Sequence, residues 1–295
     1  LHDTLLSGYY LDKKIFSYPI PNLIFTRDIA VCIGNTILLT WSKKDVRKRE
    51  NILAKFIFLH YNTFKDMNVY DFHSNYPNLS IEGGDILVFD EKRICIGISE
   101  RTPIDSINNL APIIFDEGFE TIIAIDLPKK RALMHLDTIF TQISHNEVIL
   151  FDDSESNSIN SLDVYMASKE DQKLEKTDNN ILDLLKTLGF NFQIIKCGGD
   201  QSNFKLREQL TDGANSFALD VGKIIMYNCN DKTIEELENN GYHHITSKLF
   251  REDINSFGQI LRSDKKVVIS IDGSELVKGR GGPRCMTLPI KRSII

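Results

Sequence analysis

The chain has 295 residues, 42% of them hydrophobic and 26% charged, with a net charge of −6. Those proportions describe an ordinary globular protein, and basic residues scattered along a net-acidic chain argue against nucleic acid or an anionic membrane as partner. No apolar run approaches the roughly 20 residues that span a bilayer, and the opening Leu1-His2-Asp3-Thr4 lacks the basic start of a secretory signal.

A first unit opens at Phe25-Thr26-Arg27-Asp28. Ile29-Ala30-Val31-Cys32-Ile33 and Thr36-Ile37-Leu38-Leu39 follow, joined by Gly34-Asn35, which predicts a β-hairpin. Residues 43–60 carry Val46, Ile52, Leu53, Phe56 and Leu59 at helical spacing. A second unit starts at Glu82-Gly83-Gly84-Asp85, with strands at 86–89 and 94–96, a helix over 105–117 and a strand over 121–125. The third begins at Met134-His135-Leu136-Asp137, with strands at 138–140 and 148–150, a helix over 180–188 closed by Gly189, and a strand over 192–195. Its low-complexity stretch 152–160 reads as an exposed loop. Asp212-Gly213-Ala214-Asn215 opens the fourth, with a hairpin over 216–226. Thr233-Ile234-Glu235-Glu236 reads as a capping box, residues 251–261 as a further helix and 267–270 as a strand. The last motif is Gly281-Gly282-Pro283-Arg284-Cys285. A motif, hairpin, helix and strand repeated in this way imply stacked or radial modules, with the motifs meeting at one centre.

Among the five cysteines, Cys32, Cys95 and Cys229 lie in apolar runs and read as core. Wide spacing and the lack of a Cys/His cluster leave no signal for zinc, and the set suits a reducing cytoplasm. Cys285 differs, because glycines, a proline, Arg280 and Arg284 frame it. Adjacent guanidinium groups are expected to ease its ionisation and make it a nucleophile. His135 supplies the base that such a nucleophile needs, titrating near neutrality. The acids at the motif positions, Asp28, Glu82, Asp85 and Asp137, suit a planar guanidinium held by carboxylates. Arg47, Arg101 and Arg280 suit a carboxylate at the other end, so a zwitterionic amino acid with a guanidinium tail meets both demands.

Plainer readings stand beside these. Arg47 lies in a charge run over 43–50 that reads as a solvated helix face. Glu100-Arg101 reads as a surface pair, and Glu82 as a turn residue. Cys197-Gly198-Gly199-Asp200 echoes the second motif with a structural role, and His243-His244 would point to opposite faces of a strand.

Taken together, Pro21-Asn22-Leu23-Ile24-Phe25-Thr26-Arg27-Asp28, Glu82-Gly83-Gly84-Asp85, Ser99-Glu100-Arg101-Thr102, Met134-His135-Leu136-Asp137-Thr138, Asp212-Gly213-Ala214-Asn215 and the stretch 279–286 resemble the bacterial arginine deiminases, of the guanidino-group modifying (amidinotransferase) superfamily. The resemblance implies a five-fold pseudosymmetric α/β propeller with its site on the axis, residues 1–295 forming one catalytic domain. Members carry a longer part ahead of the Asn22 stretch, so it also implies an incomplete first module. A ring left open would offer a sheet edge to a homo-oligomer. The activity implied is hydrolysis of L-arginine to citrulline and ammonia, without metal or organic cofactor. By the same resemblance Cys285 attacks the guanidinium carbon, His135 moves protons, Glu82 orients His135, and Asp28 and Asp137 clamp the guanidinium. Arg47 and Arg101 pair with the substrate carboxylate, while Asn22, Phe25, Gly279 and Arg280 line the pocket. Some members have His where Arg284 stands, and arginine there cannot act as acid or base. A hydrolase or amidinotransferase for another guanidino compound, and a catalytically weak arginine-binding homologue, remain the alternatives.

Overall fold

The computed structural model describes residues 20, 22–152 and 158–291. A hairpin, a helix and a strand laid parallel to the hairpin's second strand recur along it. In the first unit these are β1 (Ala30–Ile33), β2 (Thr36–Leu39), α1 (Lys48–His60) and β3 (Asn68–Asp71), followed by the single turn α2 (Phe72–Asn75). The second has β4 (Ile86–Val88), β5 (Arg93–Ile98), α3 (Ile104–Asp116) and β6 (Thr121–Asp126). In the third, β7 (Phe140–Ser144) and β8 (Glu147–Leu150) form the hairpin. The chain then leaves to add β9 (Val164–Ser168) and β10 (Glu175–Lys176) to the second sheet. It returns through α4 (Ile181–Thr187) to β11 (Gln193–Lys196), parallel to β8. After α5 (Ser202–Leu210), the fourth unit comprises β12 (Phe217–Asp220), β13 (Lys223–Tyr227), α6 (Asp231–Asn239), β14 (His243–Thr246), α7 (Ser247–Glu252), α8 (Ile254–Leu261) and β15 (Val267–Ile271). Among the described residues this gives four sheets, in a mixed α/β fold.

Helix α3 shows why such a unit holds. Ile107, Leu110, Ala111, Ile114 and Phe115 form one apolar stripe, and all are buried. Burying each large member contributes ~1.5–3 kcal/mol. They join Val31, Leu38, Ile94 and Ile96 in a core shared by the first two sheets. A second core takes Leu87 and Phe89 from the second unit, Phe140 and Ile149 from the third, and Ile224 and Val268 from the fourth. No helix among the described residues is long and apolar enough to cross a membrane.

Four expectations change. The segment 43–60 begins with a short 3-10 turn, Asp45–Arg47, before α1, and Val46, Phe56 and Leu59 are exposed. The buried face instead carries Glu50, Asn51, Ala54 and Phe58, because polar Glu50 and Asn51 are bonded inside. Thr233 does not form a capping box with Glu236. The Glu208 carboxylate reaches across from α5 and accepts from the Lys232 and Thr233 amides and the Thr233 hydroxyl. The helix expected over 251–261 is broken at Asp253, whose side chain caps α8 through the Ser256 amide. Cys229 lies beyond the end of β13 and is only partly buried, whereas Cys32 and Cys95 are in the core. Most of the expected loop 152–160 lies outside the described residues; Ile159, at its end, is buried.

Candidate active site

Short 3-10 turns precede the first three hairpins, at Thr26–Asp28, Gly83–Asp85 and Leu136–Thr138, and they pack against one another. This packing brings Asp28, Asp85 and Asp137 together, all buried. Asp85 is a buttress: its carboxyl accepts from the Leu136 amide at 3.0 Å and the Ser99 hydroxyl at 2.6 Å. Burial pushes its pKa up to about 7. Asp28 accepts from the Gly84 amide at 3.2 Å and faces Arg47 Nη1 at 2.5 Å. Burial alone would raise its pKa, but His135 and Arg47 outweigh that and hold it below the usual carboxylate range. Glycine at position 84 is needed here, since a Cβ would stand 2.6 Å from His135 Nδ1.

His135 Nε2 donates to Glu82 Oε2 at 2.8 Å, and Nδ1 lies 3.7 Å from Asp28 Oδ1. Burial disfavours the imidazolium, but Asp28, Glu82 and Asp85 outweigh it and push the pKa up to about 10. His135 is therefore charged at neutral pH, not poised there as the sequence suggested. The other Glu82 oxygen accepts from the Lys43 amide at 2.9 Å. Donor atoms of Asp28, Glu82 and His135 lie within 4.8 Å of one another, a spacing that could hold a metal ion. A ligating imidazole must first lose its proton, and at neutral pH the cation of this trio is the proton on His135.

The opposite wall is the loop ending at Cys285. Its amide donates to Asn215 Oδ1 at 3.0 Å and its carbonyl accepts from the Arg27 amide at 3.0 Å. Asn215 Nδ2 donates to the Asp137 carbonyl at 3.0 Å, so one buried amide ties Cys285 to the third unit. Tyr227, fully buried, donates its hydroxyl to the Gly281 carbonyl at 2.8 Å. Neither Asn215 nor Tyr227 was assigned a role from sequence. Asn215 lay within a recognised motif, whereas Tyr227 at the end of β13 carried no signal.

Cys285 Sγ lies 4.0 Å from Asp137 Oδ2. Burial, then the charges of Asp137, Asp28 and Asp212, push the thiol well above its ordinary pKa. The expectation that Arg280 and Arg284 would lower it fails for a geometric reason: both point at other acceptors. Arg284 Nε lies 3.4 Å from Asp137 Oδ2, and Arg280, with a left-handed backbone (φ 60°), donates to the Ala132 carbonyl at 3.2 Å. Asp137 is itself pushed up, by burial that Arg284 only partly offsets, and its Oδ1 has no hydrogen-bond partner among the described residues.

These groups border a cavity of about 370 Å³. Asn22, Phe25, Asp28, Arg47, Glu82, Arg101, His135, Gly279, Arg280 and Cys285 all line it, and Asp137 stands behind the thiol. Lys44, Glu100, Arg131, Met134 and Thr138 complete the lining. A smaller hollow of about 160 Å³ beside Trp41 contains none of the expected site residues. Arg47 is buried rather than on a solvated face. It is engaged by Asp28, by Glu50 at 2.8 Å and by the carbonyls of Asn22 at 3.3 Å and Phe25 at 3.2 Å. Arg101 keeps spare donors: Nη1 is 3.5 Å from Glu82 Oε1, and Nε has no hydrogen-bond partner among the described residues.

A model of the arginine deiminase family matches residues 6–292. The arginine deiminase of Clostridium perfringens is 34% identical over 284 residues, 93% of this chain and 62% of the relative. That of Borreliella afzelii is 37% identical over 280 residues, 94% of this chain and 62% of the relative. The chain thus spans less than two thirds of the length of these relatives. Among solved structures, the substrate-bound N-terminal domain of ArgZ, an arginine dihydrolase from cyanobacteria, aligns with a TM-score of 0.63 at 17% identity, over 93% of this chain and 78% of that one. DDAH from Pseudomonas aeruginosa, complexed with citrulline, aligns with a TM-score of 0.57 at 18% identity, over 91% and 76%. Likenesses at that identity speak for the fold alone.

Proposed function

The chain belongs to the arginine deiminase family, and from that premise we propose that it hydrolyses the guanidinium group of free L-arginine, giving L-citrulline and ammonia. The observation that carries this reading is the placement of the Cys285 thiol beside the Asp137 carboxylate, in one cavity with Asp28 and the His135–Glu82 pair.

The charges suggest an order of events. In the empty site the thiol is neutral and His135 is an imidazolium. A guanidinium bound between Asp28 and Asp137 cancels the negative charge that holds the thiol up, so substrate binding itself favours the thiolate. The released proton leaves to solvent. The thiolate attacks the guanidinium carbon, and the tetrahedral adduct takes a proton from His135 as ammonia departs. A planar, cationic thiouronium remains on Cys285 while His135 is neutral. His135 then takes a proton from an attacking water, and the second adduct collapses to the ureido group as the C–S bond breaks, the thiolate is freed and the remaining hydroxyl proton passes to solvent. Glu82 keeps the ring oriented throughout, and Arg47, which also sets Asp28 in place, is assigned with Arg101 to the substrate carboxylate.

We read the four sheets as modules of a five-fold pseudosymmetric propeller in a single catalytic domain. The repeated unit and the mutual packing of the three opening turns support that reading. We place the protein in the cytoplasm, where a thiol such as Cys285 stays reduced. The test is a citrulline assay on the purified chain with L-arginine, alone and with glycine added. Citrulline and ammonia in equal amounts are expected; an amidinated amine instead, or no product, would overturn the hydrolytic reading.

A further inference from the structure

The hollow of about 160 Å³ beside Trp41 takes no part in the chemistry at Cys285. It is too small for a drug-sized ligand, whose sites run from about 300 Å³ upward. Its polar lining is Ser42, Lys43, Lys48, Asn78 and Ser80, and none of its lining residues is an acid. Lys43 forms no salt bridge among the described residues. Lys48 pairs with Asp45 at 2.6 Å, but that carboxylate is 89% exposed, and such a pair is loosely held. Ser80 spends its hydroxyl on the Arg101 carbonyl at 2.8 Å. Ser42 does not: it is buried to 1% exposure, and its Oγ has no hydrogen-bond partner among the described residues. Helix α1 begins at Lys48 with no side-chain cap, and the positive end of a helix favours negative charge.

We propose that this hollow binds a small oxyanion, the chemistry shared by phosphate, sulfate and a short carboxylate, and that its occupancy is felt at Glu82. Lys43 and Lys48 supply the charge, and the Ser42 hydroxyl supplies a donor that the protein itself leaves unused. A buried hydroxyl without a partner is a standing cost that an acceptor removes. Water could satisfy the hydroxyl but would leave the two ammonium groups without a buried counter-charge. An anion meets both demands, and no acid in the lining repels it. The link to Glu82 is one residue long. Trp41 and Ile81 exchange backbone bonds at 3.1 and 3.0 Å, and the Lys43 amide donates to Glu82 Oε1 at 2.9 Å. The residue whose side chain faces the anion therefore holds, by its backbone, the carboxylate that accepts from His135.

Trp41 is the one tryptophan of the chain, stacked on His73 at 3.6 Å with Lys48 Nζ 5.5 Å from its ring centroid, so its fluorescence reports on this hollow. Phosphate, sulfate and acetate are titrated separately against sodium chloride at equal ionic strength. Phosphate should change the Trp41 emission saturably where chloride does not. Sulfate matching phosphate assigns the site to tetrahedral oxyanions, and acetate matching it assigns the site to carboxylates as well. Ser42→Ala and Lys43→Ala should each raise the half-saturating concentration about tenfold, the loss of one hydrogen bond to a charged group. Ser42→Ala gives up no bond within the protein, so its melting temperature without the anion should match wild type. Arg101→Ala, in the larger cavity, should leave the half-point where it is. Glu82→Gln removes the charge behind Lys43 and should lower the half-point about fivefold, the small end of coupling between linked sites. No saturable change, a change that Ser42→Ala and Lys43→Ala leave intact, or one that Arg101→Ala abolishes would overturn the site. An unmoved half-point in Glu82→Gln would overturn its link to the catalytic pair. None of these measurements needs turnover, so this proposal and the deimination reading fail separately.

Discussion

The two walls of the cavity hold charge in opposite ways. On one, Asp28, Glu82 and His135 are buried side by side, Glu82 hydrogen-bonded to His135 and Asp28 to the Gly84 amide, and the carboxylates from the first two units hold the imidazolium of the third. On the other, Cys285 sits in a loop tethered by backbone bonds, and burial and the charges of Asp137, Asp28 and Asp212 hold its thiol protonated. The first wall is charged before any ligand arrives. The thiol of the second stays uncharged until a cation does. The difference teaches that the Cys285 thiol is not ionised by its own sequence neighbours. On the proposed deimination reading it waits for a charge that the substrate supplies.

The largest expected effect tests whether the second wall contains the nucleophile. Cys285→Ala should abolish citrulline formation while the far-ultraviolet circular dichroism spectrum and the melting temperature stay near wild type. Appreciable turnover in a folded variant would break the assignment. Next comes the charge between the walls. Asp137→Asn should lower kcat/KM for L-arginine by about 10²–10³-fold, as expected when a preorganised partner of substrate charge is lost. The same change removes an anion that raises the thiol pKa. Alkylation of Cys285 by iodoacetamide at pH 8 should therefore become faster. Slower turnover with faster alkylation is the signature; a change of both in one direction would detach Asp137 from the thiol.

Asn215 tests the tether itself. Asn215→Ala leaves the Cys285 amide and the Asp137 carbonyl without their partner, at a cost of about 1–3 kcal/mol for each buried group left unpaired. The expected result is a lower melting temperature together with a lower kcat, and a KM that moves little. Asn215→Asp keeps the acceptor for the Cys285 amide but adds a buried anion near the thiol, so the pH dependence of alkylation should shift upward. A profile identical to wild type in a folded Asn215→Asp protein would remove Asn215 from the positioning of the nucleophile.

What could be read from sequence follows the same division. The acids and the histidine were legible because each sits in a short polar motif at the start of a hairpin, and in the second of these the glycine has a steric reason: Gly84 leaves no room for a Cβ beside His135. The modules were legible where apolar runs met turn residues. Long-range effects were not. Nothing local announces that Glu208 caps α6 from another helix, or that β9 and β10 cross to the second sheet. Helical spacing in α1 picked out a face but could not show that Glu50 and Asn51, bonded to Arg47 and Ser42, turn the other face inward. The sign of the Cys285 shift was misread because adjacency in sequence is not adjacency of charge: Arg280 and Arg284 flank the thiol and serve other acceptors.

The smallest effect concerns the precharged wall. His135 has a pKa of about 10 in the folded protein against an ordinary value of 6.5, the latter being the reference for the unfolded chain. Between those values the folded chain holds a proton that the unfolded chain has lost, so stability falls as pH rises through the window. The stabilisation is fully present below about 6.5 and gone once His135 deprotonates near 10. His135→Gln has no such proton. The stability difference between wild type and variant, from urea unfolding at pH 6, 8 and 10, should be largest at pH 6 and shrink steadily. Ionisation of cysteine thiols in the unfolded chain adds a further decline at alkaline pH, common to both proteins, and the subtraction removes most of it. A difference that stays constant from pH 6 to 10 would mean that His135 is held as the neutral imidazole. The first wall would then lack its cation, and His135 would need another source for the proton that leaves with ammonia.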